Sequence, residues 1–180
     1  MGVMIHVARV SEGASTELPA FNRNLFVDSE LRLRFDDGKL NYEVIPVEPY
    51  KKTYPPLERT DSSGPMVTLV AYSTQQPVGR IDISKNWNGF AYIHDLVVAK
   101  ESRRSGVASE LLVKAREWAK TERLAGVMAE TQTNNVPACR LYERCGFHLS
   151  GFDTDLYWAT QAAGAEIALF WYWHSSAHRA

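Results

Sequence analysis

From residue 66 onward, the spacing of apolar residues changes from that of strands to that of a helix and back, and this order restricts the fold more than any other feature. Met66–Tyr72 and Val78–Ile83 are apolar runs of β-forming residues, and the polar segment Ser73–Pro77 between them predicts a hairpin. Asn86–Gly89 is a second turn signal, and Phe90–Val98 follows as a long strand. The sequence therefore predicts three consecutive antiparallel strands.

Helical spacing follows these strands. One face of a helix over 106–121 would carry Ala108, Leu111, Leu112, Ala115, Trp118 and Ala119. A short buried strand at 126–131 comes next, and then a second helix at 137–145 with proline in its first turn and Gly146 after its end. Residues from 147 onward supply two more strands, the last at 166–173. The central strand–helix–strand step predicts a βαβ unit with parallel strands, so the fold class is α+β around a mixed sheet.

The first 65 residues carry weaker patterns. His6–Val10 alternates and predicts a first strand, whereas the apolar residues at 18, 21, 25 and 26 predict a short amphipathic helix over Leu18–Phe26. Five prolines, at 46, 49, 55, 56 and 65, interrupt Tyr42–Pro65. We interpret that segment as a strand followed by a long surface loop, because proline breaks regular backbone pairing.

Chain length and charge exclude several classes of protein. With 180 residues, the chain has enough material for one core and hardly for two, so we expect a single domain over 1–180. Hydrophobic residues make up 45% and charged residues 23%, as in ordinary globular proteins. The formal charge of -1 leaves no excess of Lys and Arg to neutralise phosphates, so nucleic acid is not expected as a partner.

Neither a membrane segment nor a metal site is expected. The longest apolar stretch, Ile167–Trp173, is far shorter than the about 20 residues that cross a bilayer. Met1–Val10 lacks the basic start and the cleavage site of a secretory signal, so a cytoplasmic location is expected. Cys139 and Cys145 are too few for a disulfide framework or a zinc site, which favours free thiols in a reducing compartment.

The segment between the long strand and the first helix suits an anion. It consists of Arg103, Arg104, Ser105, Gly106, Val107 and Ala108. Small residues let backbone N–H groups face outward at a helix N-terminus, where the positive end of the helix dipole favours negative charge. Two arginines suit a pyrophosphate, because each guanidinium can fork to phosphate oxygens. Taken alone, such a hexapeptide is more often a solvated helix start.

A second candidate lies at the helix over 137–145. Asn135 precedes this helix, Ala138 lies in its first turn, and Tyr142 lies one turn later on the same face. The helix follows the strand that is expected to run parallel to the one before the arginine segment, so the two segments would meet at the end of the βαβ unit. A lone tyrosine on a helix is more often a core residue than an acid.

Together the two segments resemble the motifs of the GNAT superfamily of N-acetyltransferases. The pattern R-x-x-G-x-A at residues 103–108 is similar to the family's Q/R-x-x-G-x-G/A pyrophosphate loop. The pattern N-x-x-A-x-x-x-Y at residues 135–142, followed by Gly146 and Phe147, is similar to its second motif. Both motifs occur in the family's order and with matching elements around them, which makes the resemblance specific.

This resemblance implies acetyl-CoA as co-substrate, with no metal. It implies a mixed, mostly antiparallel sheet of six or seven strands, with a central βαβ acetyl-CoA site and flanking helices. Residues 66–180 would form the acetyl-CoA-binding core, and residues 1–65 the N-terminal strand, the helix and the acceptor-side loop. The cofactor-binding residues would be Val97, Val98, Arg103, Arg104, Ser105, Gly106, Val107, Ala108, Asn135 and Ala138.

The resemblance also assigns catalytic roles. Tyr142 would give a proton to the departing CoA thiolate, and a tyrosine hydroxyl is protonated at neutral pH. The attacking amine must lose a proton, for which Asp95 is the first candidate and Glu130 the second. Either carboxylate could equally pair with a cationic substrate or with a structural arginine.

A closer resemblance, to the streptothricin (nourseothricin) acetyltransferases, reaches beyond the two motifs. The similar segments are YKKTYP at 50–55, NWNG at 86–89, ETQ at 130–132, FDTDLY at 152–157 and EIALFWY at 166–172. This resemblance implies acetylation of the β-lysine amine of streptothricin, and thereby antibiotic resistance. A polycationic substrate calls for an acidic and aromatic pocket. The candidates, each of which could equally be an ordinary surface or core residue, are Asp82, Trp87, Asp153, Asp155, Tyr157 and Glu166.

Two alternatives stay open. The first is a GNAT enzyme that acts on another amine, such as a polyamine, an aminoglycoside or a protein terminus. The second is a binding module that keeps the acetyl-CoA fold without catalysis, although the presence of Asn135 and Tyr142 argues against it. A homodimer is compatible with the sequence.

Overall fold

The computed structural model describes residues 5–11, 18–55, 65–158 and 166–176. The described chain forms nine strands and two α-helices, which confirms the α+β class. The strands are β1 Ile5–Val10, β2 Asn24–Asp36, β3 Lys39–Thr53, β4 Met66–Ser73, β5 Gln76–Lys85, β6 Ala91–Val98, β7 Gly126–Gln132, β8 His148–Asp153 and β9 Ala168–His174. The helices are α1 Val107–Thr121 and α2 Val136–Arg144, and a 3-10 turn at Lys100–Ser102 precedes α1.

The chain divides into two compact units. The first contains Met1–Arg23, Pro55–Val127 and His174–Ala180, and the second contains Asn24–Tyr54 and Met128–Trp173. Strands β2 and β3 belong to the second unit with the later part of the chain, whereas β1 belongs to the first unit with β4, β5 and β6. The single domain expected over 1–180 stays a prediction.

In the first unit, four strands lie side by side in the order β1-β4-β5-β6, and each neighbouring pair is antiparallel. Helix α1 packs against these strands. Fully buried apolar residues of these elements are Val70, Ile81, Ile83, Leu111, Leu112, Ala115 and Ala119. Burying a branched apolar side chain contributes about 1.5–3 kcal/mol, so these contacts hold α1 on the sheet. The strand and helix predictions for this region are confirmed.

Two tight turns build hairpins in this fold. Thr74 and Gln75 join β4 to β5 with φ values of 48° and 69°. Asp37 and Gly38 join β2 to β3 with φ values of 50° and 73°. Positive φ at both central residues of a two-residue loop matches the twist of the flanking strands. The first hairpin is the one that the sequence predicted at Ser73–Pro77.

The predicted helix over Leu18–Phe26 is wrong. Residues 18–23 are not helical, and Asn24 to Phe26 form the start of β2. The spacing of the apolar residues misled the prediction, since Phe26 is 66% exposed and does not belong to a buried face. A helix of this length is marginal alone, whereas the strand gains a ladder of backbone hydrogen bonds with β3.

The prediction of a strand after Tyr42 is confirmed, but β3 runs much further into the proline-rich segment. Val27 pairs with Tyr50, and Ser29 pairs with Pro46, so the register shifts where Pro46 and Pro49 lie. Proline has no N–H to donate, which explains why the ladder is interrupted there rather than elsewhere. Residues 56–64 of the predicted loop lie outside the described residues.

The second unit combines the β2–β3 hairpin with later elements. Strands β7, β9 and β8 lie in the order β7-β9-β8, and β8 pairs with β9 in antiparallel register. Helix α2 contacts β2 and β8, and β3 contacts β8. The Leu31 N–H donates to Thr133 O at 2.9 Å, which attaches β2 to the loop after β7. Among the described residues, no helix combines the length and apolar character needed to cross a membrane.

Candidate active site

The loop between β6 and α1 leaves the positive end of α1 available. Helix α1 begins at Val107, and its N-cap residue is Gly106 with a φ of 92°. Glycine has no side chain to accept from its own helix, so the first-turn N–H groups have no side-chain cap at this position. An ideal Cβ on Gly106 would meet nothing within 4 Å among the described residues. These features fit an anion at the helix N-terminus.

The arginines of this loop differ in their contacts. Arg103 donates from Nη2 to Asn22 O at 2.7 Å and from Nε to Val98 O at 3.3 Å. Its guanidinium is therefore anchored to backbone carbonyls, which shapes the loop. Arg104 is exposed and has a φ of 64°. The hydroxyl of Ser105 donates to Ser102 O at 2.6 Å, and Ala108 is half-buried in the first turn.

A close approach of β5 to α1 positions the loop. A Cβ on Gly79 would lie 2.8 Å from Val107 Cγ1 and 3.2 Å from Val97 O. Only glycine fits there without displacing α1, because real Cβ atoms essentially never come so close. In the β5–β6 register, Val97 pairs with Arg80 and Val98 pairs with Gly79. The two valines thus lie next to the strand that holds the helix start.

The predicted acids of the first unit are held by arginines. Asp95 pairs with Asp82 in the β5–β6 register. The Arg23 guanidinium donates to both oxygens of Asp95, with Nη1 at 3.0 Å from Oδ1, and Arg80 Nη2 lies 3.1 Å from Oδ2. Arg80 Nε lies 3.0 Å from Asp82 Oδ2, and the Thr68 hydroxyl donates to Asp82 Oδ1 at 2.6 Å. Two carboxylates and two guanidiniums therefore compensate each other.

His94 lies beside this cluster. Its Nε2 is 2.7 Å from the hydroxyl oxygen of Ser84, and its ring meets Tyr92 edge-on at 4.9 Å between centroids. Burial lowers the pKa of His94, and the charge of Asp82 opposes that shift. A neutral imidazole is therefore favoured at neutral pH. Among the described residues, no group of three or more His, Cys, Asp or Glu is arranged to hold a metal ion.

In the second unit, helix α2 carries the second predicted motif. The Asn135 side chain caps the helix, since its Oδ1 accepts from the Ala138 N–H at 3.2 Å. Tyr142 is 5% exposed, and its ring lies 5.4 Å from Phe147 and 6.2 Å from Trp171 between centroids. The position predicted for a proton donor is thus a buried site among aromatic rings.

Cys139 of α2 is not suited to nucleophilic chemistry. The residue is fully buried, and burial raises the pKa of its thiol to about 12. A nucleophilic cysteine needs a thiolate, which this environment disfavours at neutral pH. Cys139 and Cys145 are both reduced.

A chain of hydrogen bonds joins β7, the start of α2 and the segment after β8. The Tyr54 hydroxyl donates to Gln132 Oε1 at 2.8 Å and accepts from Asn135 Nδ2 at 3.1 Å. Gln132 Nε2 donates to the Tyr157 hydroxyl at 2.6 Å and to Glu130 Oε1 at 3.4 Å. The structure thereby brings together the predicted residues Glu130, Tyr157 and Asn135 through Tyr54 and Gln132, for which no site role was predicted.

A half-buried ion pair supports the same region. Lys52 Nζ lies 2.6 Å from Glu166 Oε2, with both side chains less than one-fifth exposed. Asn134 Nδ2 donates to Glu166 Oε1 and to the Tyr50 hydroxyl, at 2.9 Å in each case. The Lys52 ammonium also lies 4.5 Å from the centroid of the Tyr54 ring. These contacts hold the end of β3 beside the loop that follows β7.

The remaining predicted substrate residues lie on turns. Trp87 is 93% exposed on the turn after β5. Asp153 Oδ1 accepts from the backbone N–H groups of Asp155 and Leu156 at 2.8 and 3.0 Å, which organises the turn after β8. Asp155 is exposed and accepts from the Thr154 hydroxyl at 3.1 Å. These residues do not join the hydrogen-bond chain around Gln132 in the contacts described.

No individual role was predicted for Lys52, Tyr54, Gln132 or Asn134, although the first three lie in the segments 50–55 and 130–132 that resemble the streptothricin acetyltransferases. One usable signal was the run of four polar residues at 132–135 directly after a buried strand. Asn134 is only 5% exposed, and a buried amide must find hydrogen-bond partners. Those partners, Tyr50, Lys52 and Glu166, lie far from Asn134 along the chain, so they could not be identified without the tertiary structure.

Comparison with known proteins identifies the family. Residues 30–147 match the model of the acetyltransferase (GNAT) family. The chain belongs to this family. The GNAT chain is 41% identical over 131 residues to a streptothricin acetyltransferase from Escherichia coli, covering 73% of this chain and 74% of that protein. It is 46% identical over 102 residues to streptothricin acetyltransferase A from Bacillus subtilis, covering 57% and 58%.

Solved structures agree over more of the GNAT chain. A Bacillus anthracis protein assigned as a streptothricin acetyltransferase, in complex with acetyl coenzyme A, has a TM-score of 0.87 at 32% identity. That match covers 96% of this chain and 100% of the other. A nourseothricin acetyltransferase has a TM-score of 0.77 at 27% identity, covering 94% and 98%. Both matches therefore include the N-terminal half, which carries the β2–β3 hairpin.

Proposed function

We propose that this GNAT protein transfers the acetyl group of acetyl-CoA to the β-lysine amine of streptothricin and so inactivates the antibiotic. The observation that carries the proposal is the structural match over 96% of the chain to a protein assigned as a streptothricin acetyltransferase and solved with acetyl-CoA. The 41% identity to the Escherichia coli enzyme supports the same substrate.

The residues of the arginine loop fit the pyrophosphate of acetyl-CoA. Gly106 leaves the first turn of α1 without a side-chain cap, and the exposed Arg104 adds a positive charge beside it. Arg103 would act chiefly by shaping the loop, because its guanidinium already binds backbone carbonyls. The further residues proposed to contact the cofactor are Val97, Val98, Ser105, Val107, Ala108, Asn135 and Ala138.

Acetyl-CoA supplies an activated acetyl thioester. The transfer forms a C–N bond and breaks the C–S bond, so the sulfur gains a proton and the amine loses one. We assign the donor role to Tyr142, whose buried position keeps its hydroxyl away from bulk water. A positioned donor of this kind lowers the barrier only if it reaches the leaving sulfur.

Asp95 and Glu130 are the two proposed bases. Asp95 is held by the guanidiniums of Arg23 and Arg80, so a proton taken from the amine would compete with two ion pairs. Glu130 accepts a hydrogen bond from the side-chain amide of Gln132 at 3.4 Å. Water could relay the proton between the amine and either carboxylate.

The polycationic acceptor calls for acidic and aromatic groups. Asp153, Asp155, Tyr157 and Trp87 are the proposed contacts, and Glu130 adds negative charge near Tyr157 through Gln132. Asp82 contributes less than the sequence analysis expected, because Arg80 neutralises it and its side chain is 6% exposed. A cation meets little net charge at such a compensated pair.

An acceptor panel tests the function. The purified protein and acetyl-CoA are mixed with one amine in each reaction: streptothricin, spermidine, an aminoglycoside or a peptide with a free N-terminus. CoA release and product mass are measured. We expect turnover with streptothricin and a mass increase of one acetyl group on its β-lysine part. Faster turnover of another amine would make that amine the assigned substrate in place of streptothricin. Binding of acetyl-CoA without turnover of any amine would favour a non-catalytic module.

A homodimer and a cytoplasmic location stay predictions. Light scattering of the purified protein tests the first, and fractionation of cells that produce the chain tests the second.

A further inference from the structure

We propose that Tyr54 is a positioning residue that orients the side-chain amide of Gln132, so that the NH2 group of Gln132 faces Tyr157 and Glu130. The inference rests on the proposed function, since Glu130 and Tyr157 have their roles in that reaction. Tyr54 itself lies at the end of the β3 segment and touches neither of these two residues in the hydrogen bonds described.

The helix cap determines the direction of the first hydrogen bond. Asn135 Oδ1 accepts from the Ala138 N–H at 3.2 Å, so the oxygen of this amide is committed to α2. The other amide atom, Nδ2, is only a donor and lies 3.1 Å from the Tyr54 oxygen. The hydroxyl of Tyr54 must accept this bond, and its single proton is left for a different acceptor.

The second acceptor is the amide of Gln132. The Tyr54 hydroxyl lies 2.8 Å from Gln132 Oε1, which takes the proton that Asn135 cannot accept. Gln132 Nε2 then points the other way, to the Tyr157 oxygen at 2.6 Å and to Glu130 Oε1 at 3.4 Å. If the Gln132 amide were flipped, its oxygen would face the Glu130 carboxylate, which is also an acceptor. Its NH2 group would then face the hydroxyl proton of Tyr54, which is also a donor.

The orientation has a chemical consequence for both neighbours of Gln132. Tyr157 accepts the Gln132 bond, so the proton of its own hydroxyl is directed to another acceptor. Glu130 receives an N–H donor, which orients its carboxylate. Burial also raises the pKa of Tyr54 above its ordinary value of 10.0, so this hydroxyl keeps the proton that the chain of bonds requires.

A double-mutant cycle tests whether Tyr54 acts through Gln132. We expect Tyr54→Phe to lower kcat/KM for streptothricin about tenfold, the upper range for one hydrogen bond, with KM for acetyl-CoA unchanged. Gln132→Met should cost at least as much. In that background Tyr54→Phe should have less than about a twofold further effect, because its partner is gone. Additive losses, or an unchanged kcat/KM in Tyr54→Phe, would overturn the proposal.

Tyr50→Phe is the matched control. Tyr50 lies on β3, close to Tyr54 along the chain. The variant loses a hydroxyl that accepts only from Asn134 in the contacts described, and Asn134 keeps Glu166 as a partner. We expect this variant to retain kcat/KM within about twofold. A loss equal to that of Tyr54→Phe would mean that any change at the end of β3 disturbs the site, and it would overturn the assignment.

Asn135→Asp provides a second route if Tyr54→Phe fails to fold. Aspartate caps a helix as well as asparagine does, but both oxygens of the introduced carboxylate accept, so the Tyr54 proton turns toward it and Gln132 loses its donor. We expect about the same tenfold loss in kcat/KM. Full activity of a folded Asn135→Asp variant would contradict the proposal.

Amide exchange gives a readout that does not depend on the substrate. The side-chain NH2 resonance of Gln132, assigned by its disappearance in Gln132→Met, should exchange slowly with solvent in the parent and at least about tenfold faster in Tyr54→Phe. If the parent acetylates no streptothricin, the proposed function fails, whereas this measurement still decides the inference. Equal exchange rates in parent and variant would overturn it.

Discussion

At the scale of single residues, the role of a carboxylate depends on what already binds it. The sequence predicts Asp95 as a base and Asp82 as a substrate contact, but in the structure Arg80 binds both carboxylates and Arg23 also binds Asp95. Glu130 instead meets the neutral amide of Gln132. Charge compensation by the two arginines therefore gives Asp82 and Asp95 a stabilising role in the first unit.

Asp82→Asn tests the structural side of this distinction. The variant removes the charge of the buried Asp82, whereas Arg80 keeps its ion pair with Asp95, so we expect the free energy of unfolding to fall by about 1.5–2 kcal/mol. Urea unfolding followed by circular dichroism measures the change. The control Asp155→Asn alters an exposed carboxylate and should stay within about 0.5 kcal/mol of the parent. Equal stabilities of the two variants would show that the Arg80 pair contributes little.

Tyr142→Phe tests the proposed proton donor. We expect kcat to fall by about 100-fold, because one positioned donor contributes about that factor, while acetyl-CoA still binds with the parent KM. Steady-state kinetics with streptothricin provides both values.

Tyr42→Phe is the control for that variant. Tyr42 also contacts Trp171, at 6.3 Å between centroids. Burial and a hydrogen bond to Glu143 raise the pKa of Tyr42 to about 12. Loss of the Tyr42 hydroxyl should leave kcat within about twofold of the parent value. If the two variants lose activity equally, Tyr142 is a packing residue of the aromatic cluster.

At the scale of elements, the two helices begin in different ways. Helix α2 is capped by its own Asn135, whereas α1 starts at a glycine that offers no side-chain cap. A helix that caps itself satisfies one of its first N–H groups internally. The start of α1 has no such side-chain cap, which fits the proposed binding of a pyrophosphate there. Gly79 allows the close approach of α1 to β5.

Gly106→Val is expected to raise KM for acetyl-CoA by about tenfold or more. A branched side chain is strained at a φ of 92° and would occupy the space beside the helix N-terminus. Initial rates at varied acetyl-CoA concentrations measure KM. Gly38→Val is matched in strain, with a φ of 73° in the β2–β3 turn and no neighbour within 4 Å among the described residues. An unchanged KM in Gly106→Val, or the same rise in both variants, would refute the assignment of the loop.

At the scale of the whole molecule, each compact unit carries one of the two GNAT motifs. The arginine loop belongs to the first unit, and Asn135 and Tyr142 belong to the second. With a formal net charge of -1, the chain has little long-range attraction for an anion or a cation. Recognition of acetyl-CoA must then depend on local donors, and its binding energy adds to the stability of the folded state.

Acetyl-CoA should therefore raise the melting temperature. At 100 times its dissociation constant, a ligand that binds only the folded chain adds about 2.7 kcal/mol, which corresponds to about 5–10 °C for a protein of this size. Thermal unfolding with and without acetyl-CoA measures the shift. Gly106→Val should lose most of it at the same concentration. A parent protein whose melting temperature does not move would argue against acetyl-CoA as the ligand.

From residue 66 onward, most of the architecture could be predicted from the sequence alone. The Ser73–Pro77 turn, the helical spacing over 106–121 and the glycine after the second helix are local signals, each of which acts within a few residues. The two motifs at 103–108 and 135–142 are local in the same sense, so they could be recognised before any contact was known.

The β2–β3 hairpin and the chain of bonds around Gln132 required the tertiary structure. The apolar residues at the start of β2, Asn24–Asp36, have the spacing of a helix. The segment forms a strand because it pairs with β3, and the local sequence does not reveal that pairing. Tyr54 and Gln132 are separated by 78 positions along the chain, and nothing in either local sequence specifies the other. A hydrogen bond between distant residues depends on how strands are packed, because packing alone sets which donor meets which acceptor.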